Sequence, residues 1–196
     1  MKRYNSIGPN PHVVRMFIQE LGIDLESVEV DLMAGENRQQ DHLSRNPSGQ
    51  MPTLELDNGE FISEITVICD YLDEQHGYTD LIGKTPEDRA ETRMWTRRID
   101  LQIVEPLTNG FRFSEGHDFF KDRLRLIPQA ADDLKTLAQE RITWLDGQIE
   151  GKEFICGNRF SLADIMFYCF LNFGTTVGQP LNEDNKNVVN LYNKIH

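Results

Sequence analysis

The chain is poor in cysteine, and the cysteines it has follow no metal or redox motif. Its 196 residues contain three cysteines, an odd number without Cys-x-x-Cys spacing. Neither a zinc site nor a dithiol redox centre can be built from them, so no metal is expected. All three lie in apolar segments, which is typical of reduced thiols in a cytoplasmic protein. They are Cys69, Cys156 and Cys169.

Long apolar runs are also missing. No run approaches the roughly 20 residues that a bilayer-spanning helix needs. The first residues, Met1 to Asn5, lack the apolar core of a signal peptide. The sequence therefore predicts a cytoplasmic protein without a membrane partner.

Positive charge is scarce. The chain carries 20 Lys and Arg against 32 Asp and Glu, a formal net charge of −12. A surface this acidic repels phosphate backbones, so we expect no nucleic-acid partner. Residues 1–76 carry only 5 of these cations against 14 acids. An anion bound by this portion would have to rely on backbone amides and helix N-termini.

The pattern along the chain predicts an α/β region followed by an all-α region. Residues 1–76 have the predicted order β-α-β-α-β-β-α, with Asn10-Pro11 opening the first helix as N-cap and N1, and Gly22 ending it. A hairpin is predicted around Asp57-Asn58-Gly59. Residues 77–86 are predicted to be a linker, and residues 87–196 an all-helical domain.

The helical domain contains one clear helix start. Long helices are predicted from Glu87 to about Leu107, from Pro128 to Gly151 and from residue 185 to 195. The segment from Ser161 to Phe173 is apolar nearly all round, which predicts a buried central helix. Ser161 and Asp164 have the spacing of a capping box, which is a structural motif without a catalytic role.

Three motifs follow one another along the chain in an order that is typical of one protein family. They are Asn46-Pro47-x-Gly49-Gln50-x-Pro52, Glu64 with Ile68 and Tyr71-Leu72, and Phe160-Ser161-x-Ala163-Asp164. Together they resemble the cytosolic (bacterial-type) glutathione S-transferase family over nearly the whole chain. The resemblance implies a thioredoxin-like N-terminal domain that binds glutathione as co-substrate, an all-helical C-terminal domain, and a homodimer.

The resemblance also implies binding residues. It predicts a cis Met51-Pro52 bond, with the backbone of Met51 pairing with the cysteinyl backbone of glutathione. Glu64 would hold the γ-glutamyl ammonium, and the N–H of Ile65 would face the carboxylate. Ile65 stands where relatives carry a serine, so a hydroxyl is absent there. Further candidates for polar contacts are Gln50 and Gln39.

The group that activates the thiol is not evident. Relatives place a Tyr, Ser or Cys near the start of the first helix, but the aligned positions here are Gly8 and Asn10. Three alternatives remain: the Asn10 amide donates to the sulfur, the hydroxyl of Ser6 or Tyr4 reaches it, or backbone N–H groups act alone. We favour Asn10.

The second substrate is expected to lie between the domains, with Arg97, Phe111 and Phe113 lining its pocket. The predicted function is addition of the glutathione thiolate to an electrophilic small molecule. Two alternatives use the same fold: a glutathione- or ligand-binding protein without turnover, and a glutathione-dependent peroxidase.

Overall fold

The computed structural model describes all 196 residues, which divide into two compact units, Met1–Asp88 and Arg89–His196. The first unit has the predicted order β-α-β-α-β-β-α. Its elements are β1 Lys2–Asn5, α1 Pro9–Leu21, β2 Glu26–Glu29, α2 Gln40–Arg45, β3 Thr53–Glu55, β4 Phe61–Ser63 and α3 Ile65–Gln75, with a 3-10 turn at Glu36–Arg38 before α2. The predicted fold class is confirmed for this unit.

The four strands form one mixed sheet in the order β2-β1-β3-β4. Strand β1 runs parallel to β2 and antiparallel to β3, with Tyr4 opposite Thr53. Strands β3 and β4 are antiparallel, with Thr53 opposite Ser63. The exit from β1, the turn before β3 and the start of α3 therefore meet at one end of the sheet, which we call the Thr53 end.

Helix α1 begins earlier than the sequence predicts. Its N-cap is Gly8, and Pro9 is its first residue, so the prediction that Asn10 caps this helix is wrong. Gly8 has φ 101°, a conformation that glycine adopts readily and a side-chain-bearing residue does not. Asn10 therefore lies within the first turn. The predicted C-terminus at Gly22, with φ 68°, is confirmed.

The regular elements of the second unit are all helices, beside two isolated β-bridges at residues 154–159, and α4 begins three residues before the unit does. Its α-helices are α4 Pro86–Ile99, α5 Glu105–Phe113, the four-residue α6 His117–Phe120, α7 Ala131–Gln148, α8 Leu162–Thr176 and α9 Lys186–Ile195. The helix predicted from Glu87 to Leu107 continues to Phe113 and passes through a π-helical segment at Asp100–Val104. Helix α6 was not predicted. None of the helices combines the length and apolar character that a bilayer span requires.

The central helix α8 begins with the predicted capping box. The N–H and hydroxyl of Ser161 donate to Asp164 Oδ2 at 2.9 and 2.8 Å. The N–H of Ile155 donates to Asp164 Oδ1 at 2.8 Å. Asp164 is fully buried, and burial raises the pKa of its carboxyl to about 6 against the opposing effect of these hydrogen bonds.

Candidate functional site

The turn before β3 is shaped by the buried side chain of Asn46. Its Nδ2 donates to the carbonyl of Gln50 at 2.9 Å and to Thr53 Oγ1 at 3.2 Å. Its Oδ1 accepts from the hydroxyl of Ser48 at 2.7 Å. One amide thus ties both ends of the turn together and fixes the position of Met51 between them.

A neighbouring segment packs against this turn and brings a cation to it. Asn37 Nδ2 donates to the carbonyl of Gly49 at 2.7 Å. A Cβ built on Gly49 would lie 3.2 Å from Arg38 Nη1, so the guanidinium of Arg38 lies directly against the turn. Sequence reasoning missed Arg38. The available signal was its rarity, because residues 1–76 contain only five Lys and Arg.

Met51 presents its backbone at the Thr53 end of the sheet. The Met51-Pro52 bond is cis, as predicted. The Met51 side chain is buried with Tyr4 and Val30, whereas its N–H and C=O form no hydrogen bond within the chain. The side chains of Gln39 and Gln50 are exposed in the same part of the first unit.

Helix α3 begins at the same end of the sheet. Continuing the β3–β4 register by one residue places Pro52 opposite Glu64. Glu64 is the N-cap of α3 with φ 73°, and its exposed carboxylate forms neither a hydrogen bond nor an ion pair within the chain. No side chain caps the N–H groups of the first turn, which begins with Ile65 and Thr66. The Thr66 hydroxyl, which sequence reasoning missed, stands one residue after Ile65.

The hydrogen bonds of Ser6 and Tyr4 argue against these two candidates for thiol activation. The Ser6 hydroxyl donates to the carbonyl of Val30 at 2.6 Å, and the Tyr4 hydroxyl donates to Glu55 Oε2 at 2.8 Å. Burial, together with the bond to Glu55, raises the pKa of Tyr4. Both hydroxyl protons are already donated within the chain, so neither Ser6 nor Tyr4 is placed to activate a thiol.

Asn10 is half-buried, and its side-chain amide forms no hydrogen bond within the chain. The loop before it is held by Arg15, whose Nη1 donates to Asn5 Oδ1 and to the carbonyl of Ser6, each at 2.9 Å. Asn5 Nδ2 in turn donates to Glu29 Oε1 at 2.7 Å. This chain of bonds locks α1 onto the exit of β1 and leaves the Asn10 amide available to a ligand.

The three residues predicted to line a second-substrate pocket lie on one helical segment, with Arg97 far along it from the two phenylalanines. Arg97 is exposed and pairs with Asp100 at 3.6 Å. Phe111 follows it by 14 positions along the helical segment, which at 1.5 Å per residue is about 20 Å. The second-substrate pocket lined by Arg97, Phe111 and Phe113 stays a prediction.

Comparisons with known proteins identify the family of the chain. The protein-family model for the glutathione S-transferase N-terminal domain matches residues 1–74, and the model for the C-terminal domain matches residues 125–196. Glutathione S-transferase F10 of Arabidopsis thaliana is 30% identical over 186 residues, covering 90% of this chain and 82% of that protein. The chain belongs to the glutathione S-transferase family.

Other members of the family extend the likeness over the whole chain. Glutathione S-transferase 2 of Saccharomyces cerevisiae is 28% identical over 179 residues, covering 90% of this chain and 77% of that protein. The crystal structure of Gtt2 from Saccharomyces cerevisiae superimposes with a TM-score of 0.93 at 27% identity, covering 100% of this chain and 95% of that one. A class Gtt2 glutathione S-transferase of Vibrio parahaemolyticus gives 0.83 at 28% identity, with 100% and 92% covered. The predictions of the family, the two-part fold and an enzyme of this family are confirmed.

Proposed function

We propose that this member of the glutathione S-transferase family binds reduced glutathione at the Thr53 end of the sheet and adds its thiolate to an electrophilic small molecule. One observation carries the proposal. The register of β1, β3 and β4 brings the backbone of Met51 and the carboxylate of Glu64 to one end of the sheet, where β1 also ends and leads into α1 with the Asn10 amide. None of these three groups forms a hydrogen bond within the chain.

Each part of the tripeptide has a matching group in the first unit. Glu64 accepts from the γ-glutamyl ammonium, while the N–H groups of Ile65 and Thr66 and the Thr66 hydroxyl donate to the adjacent carboxylate. The backbone of Met51 pairs with the cysteinyl amide as a neighbouring strand would. Arg38 faces the glycyl carboxylate, with Gln39 and Gln50 adding polar contacts. A domain this acidic binds an anionic peptide through these few donors.

The proposed thiol activation depends on Asn10. A cysteine thiol has a pKa of about 8.5, so little of it is ionised at neutral pH. Lowering that pKa by two units takes about 2.7 kcal/mol of preferential stabilisation of the thiolate. The Asn10 NH₂ group donates to the sulfur, and the positive end of α1 adds to the stabilisation. Burial, reinforced by the charge of Arg15, lowers the pKa of His12.

The transfer step itself needs only the thiolate and an electron-poor atom. The sulfur electron pair forms the new bond to carbon, and the leaving group departs with the electrons of the bond that breaks. The thiol proton has by then passed to solvent. The protein contributes by ionising the thiol and orienting the two substrates.

Calorimetry and a pH titration test the proposal. Reduced glutathione should bind with micromolar to millimolar affinity, and the absorbance of the thiolate in the complex should titrate well below the pKa of free glutathione. Binding with an unchanged thiol pKa would instead support a glutathione-binding protein without turnover. Parallel assays with an aromatic halide and an organic hydroperoxide distinguish conjugation from glutathione-dependent peroxide reduction.

We also propose a homodimer in the cytoplasm. The apolar side chains of Met94 and Leu101 are 42% and 51% exposed on the helical segment that starts with α4, which favours burial against a second copy. None of the three cysteines forms a disulfide, which fits a reducing compartment. Light scattering during size-exclusion chromatography would give about twice the chain mass of 22.7 kDa for a dimer.

A further inference from the structure

The second unit contains a group of phenylalanines that no part of the proposed glutathione site uses. We call Phe111, Phe119, Phe120 and Phe173 the phenylalanine cluster. Phe111 packs edge-on against Phe120 and Phe173, with ring centroids 6.2 and 5.2 Å apart, and Phe119 packs edge-on against Phe120 at 4.8 Å. All four side chains are only half-buried. Arg123 Cζ lies 3.6 Å from the centroid of Phe119, so the accessible aromatic surface belongs mainly to the other three rings.

A guanidinium lies over this cluster without a carboxylate in contact. Arg112 Cζ is 5.8 Å from the centroid of Phe120. Its Nη1 donates to Asn109 Oδ1 at 3.0 Å, a neutral acceptor, while Asn109 Nδ2 donates to Glu105 Oε1 at 2.7 Å. The asparagine thus stands between the cation and the nearest acid. Burial lowers the pKa of Arg112, and the Glu105 charge only partly offsets this effect.

Neighbouring lysines, unlike Arg112, form ion pairs with carboxylates. Lys121 Nζ pairs with Asp118 at 3.1 Å, and Lys135 Nζ pairs with Glu115 at 2.6 Å. In a chain of net charge −12, carboxylates are abundant, yet none contacts Arg112. A half-buried cation that lacks a contacting anion costs free energy unless an anion arrives with the ligand.

We infer that the phenylalanine cluster and Arg112 bind a planar aromatic molecule carrying a carboxylate or similar anionic group. The partly exposed rings take the flat apolar part by edge or offset stacking. The planar fork of the guanidinium suits a carboxylate better than a point charge does. The inference goes beyond the proposed function, because it gives the second unit a site of its own for planar aromatic acids.

The test compares two probes of nearly equal shape on the full chain. Isothermal titration calorimetry measures binding of 1-naphthoate, which is anionic, and of 1-naphthylmethanol, which is neutral. The wild type should bind naphthoate more tightly. In Arg112→Gln the affinity for naphthoate should fall by about tenfold, because a charge-assisted hydrogen bond is lost, while the neutral probe changes by less than about twofold.

The control is Arg98→Gln, which removes the same charge from another guanidinium over an aromatic ring. Arg98 Cζ lies 4.9 Å from the centroid of Trp95, outside the cluster. This variant should keep the preference for naphthoate. Equal losses in Arg98→Gln and Arg112→Gln would mean a general charge effect and overturn the inference, as would a wild type without preference.

Two further variants guard against misfolding and test the rings. Arg112→Lys keeps the charge, so it should retain part of the preference even if the glutamine variant unfolds. Phe120→Leu should weaken both probes to a similar extent. A lysine variant that folds with no preference, or a leucine variant that binds both probes as wild type does, would contradict the assignment.

Failure of the inference and failure of the proposed function give different results. Glutathione is titrated into the same samples. Arg112-dependent naphthoate binding without glutathione binding would refute the transferase proposal and leave the aromatic-acid site standing. Glutathione binding with no preference between the two probes would refute the aromatic-acid site alone.

Discussion

Helices α3 and α8 begin in opposite ways. The start of α8 is buried, and its N-cap Ser161 has an extended backbone and exchanges hydrogen bonds with Asp164. The start of α3 is exposed, and its N-cap Glu64 adopts φ 73° without any side-chain cap. A helix start that is satisfied by its own chain stabilises the fold. One that stays open at the surface, in a backbone conformation unfavourable for glutamate, is available for a ligand.

The first test of this comparison removes the carboxylate at the start of α8. Asp164→Ala leaves the buried N–H groups of Ile155 and Ser161 without acceptors. The free energy of unfolding should fall by about 3 kcal/mol or more, measured by urea denaturation. Ser161→Ala, which keeps the carboxylate, should cost only about 1 kcal/mol. Glutathione affinity of the folded fraction should not change in either variant. A loss below 1 kcal/mol in Asp164→Ala would contradict the role assigned to this helix start.

The second test replaces the residue at the open start of α3. Glu64→Gly permits the positive φ, so stability should rise by about 1 kcal/mol, while the loss of the ammonium ligand weakens glutathione binding by about tenfold or more. Glu64→Gln keeps the backbone strain and removes only the charge. It should weaken binding at unchanged stability. Calorimetry and urea denaturation measure both quantities, and a destabilised glycine variant with normal affinity would refute the functional reading of this helix start.

The third test uses the pH dependence of α8. The folded pKa of Asp164 is raised from 3.8 to about 6, so between these values the folded state holds the proton more tightly than the unfolded chain does. The contribution of this carboxyl to stability is therefore full below about pH 4 and falls as the pH rises through about 6, by about 2 to 3 kcal/mol. The free energy of unfolding of wild type minus that of Asp164→Asn should follow this fall. A difference that stays constant or increases from pH 4 to pH 7 would show that burial does not govern this group.

The fourth and smallest effect concerns the other open helix start, that of α1. In Asn10→Ala the thiol pKa of bound glutathione should rise by about one unit, because one donor to the sulfur is lost. Asn10→Asp should raise it further by adding a negative charge. The absorbance of the thiolate as a function of pH measures both. If neither variant shifts the pKa, backbone N–H groups alone stabilise the thiolate.

The parts of the structure that sequence reasoning predicted depend on short-range signals. Ser161 and Asp164 are three residues apart, so their capping box can be read from spacing alone. The hairpin around Gly59 and the helix end at Gly22 likewise follow from local turn chemistry. Met51 and Glu64 were selected from motif order, and the register of the sheet places the residue after Met51, Pro52, opposite Glu64.

The parts that were missed depend on tertiary contacts or on competition between local signals. Asn10-Pro11 has the pattern of a helix start, but the helix begins two residues earlier at Gly8-Pro9, because glycine permits the required φ. Sequence analysis did not select Arg112, because the aromatic environment of its guanidinium includes Phe120 and Phe173, which lie farther along the sequence.

The π-helical segment at Asp100–Val104 has a consequence for everything that follows it in the same helix. A π turn accommodates one additional residue. Each residue of an α-helix advances the chain by about 100° around the axis. Phe111 and Arg112 therefore point about a quarter turn away from the direction that an uninterrupted α-helix would give them. Deleting a single residue from this segment would turn Phe111 and Arg112 to another side of the helix, although both residues would remain in the chain.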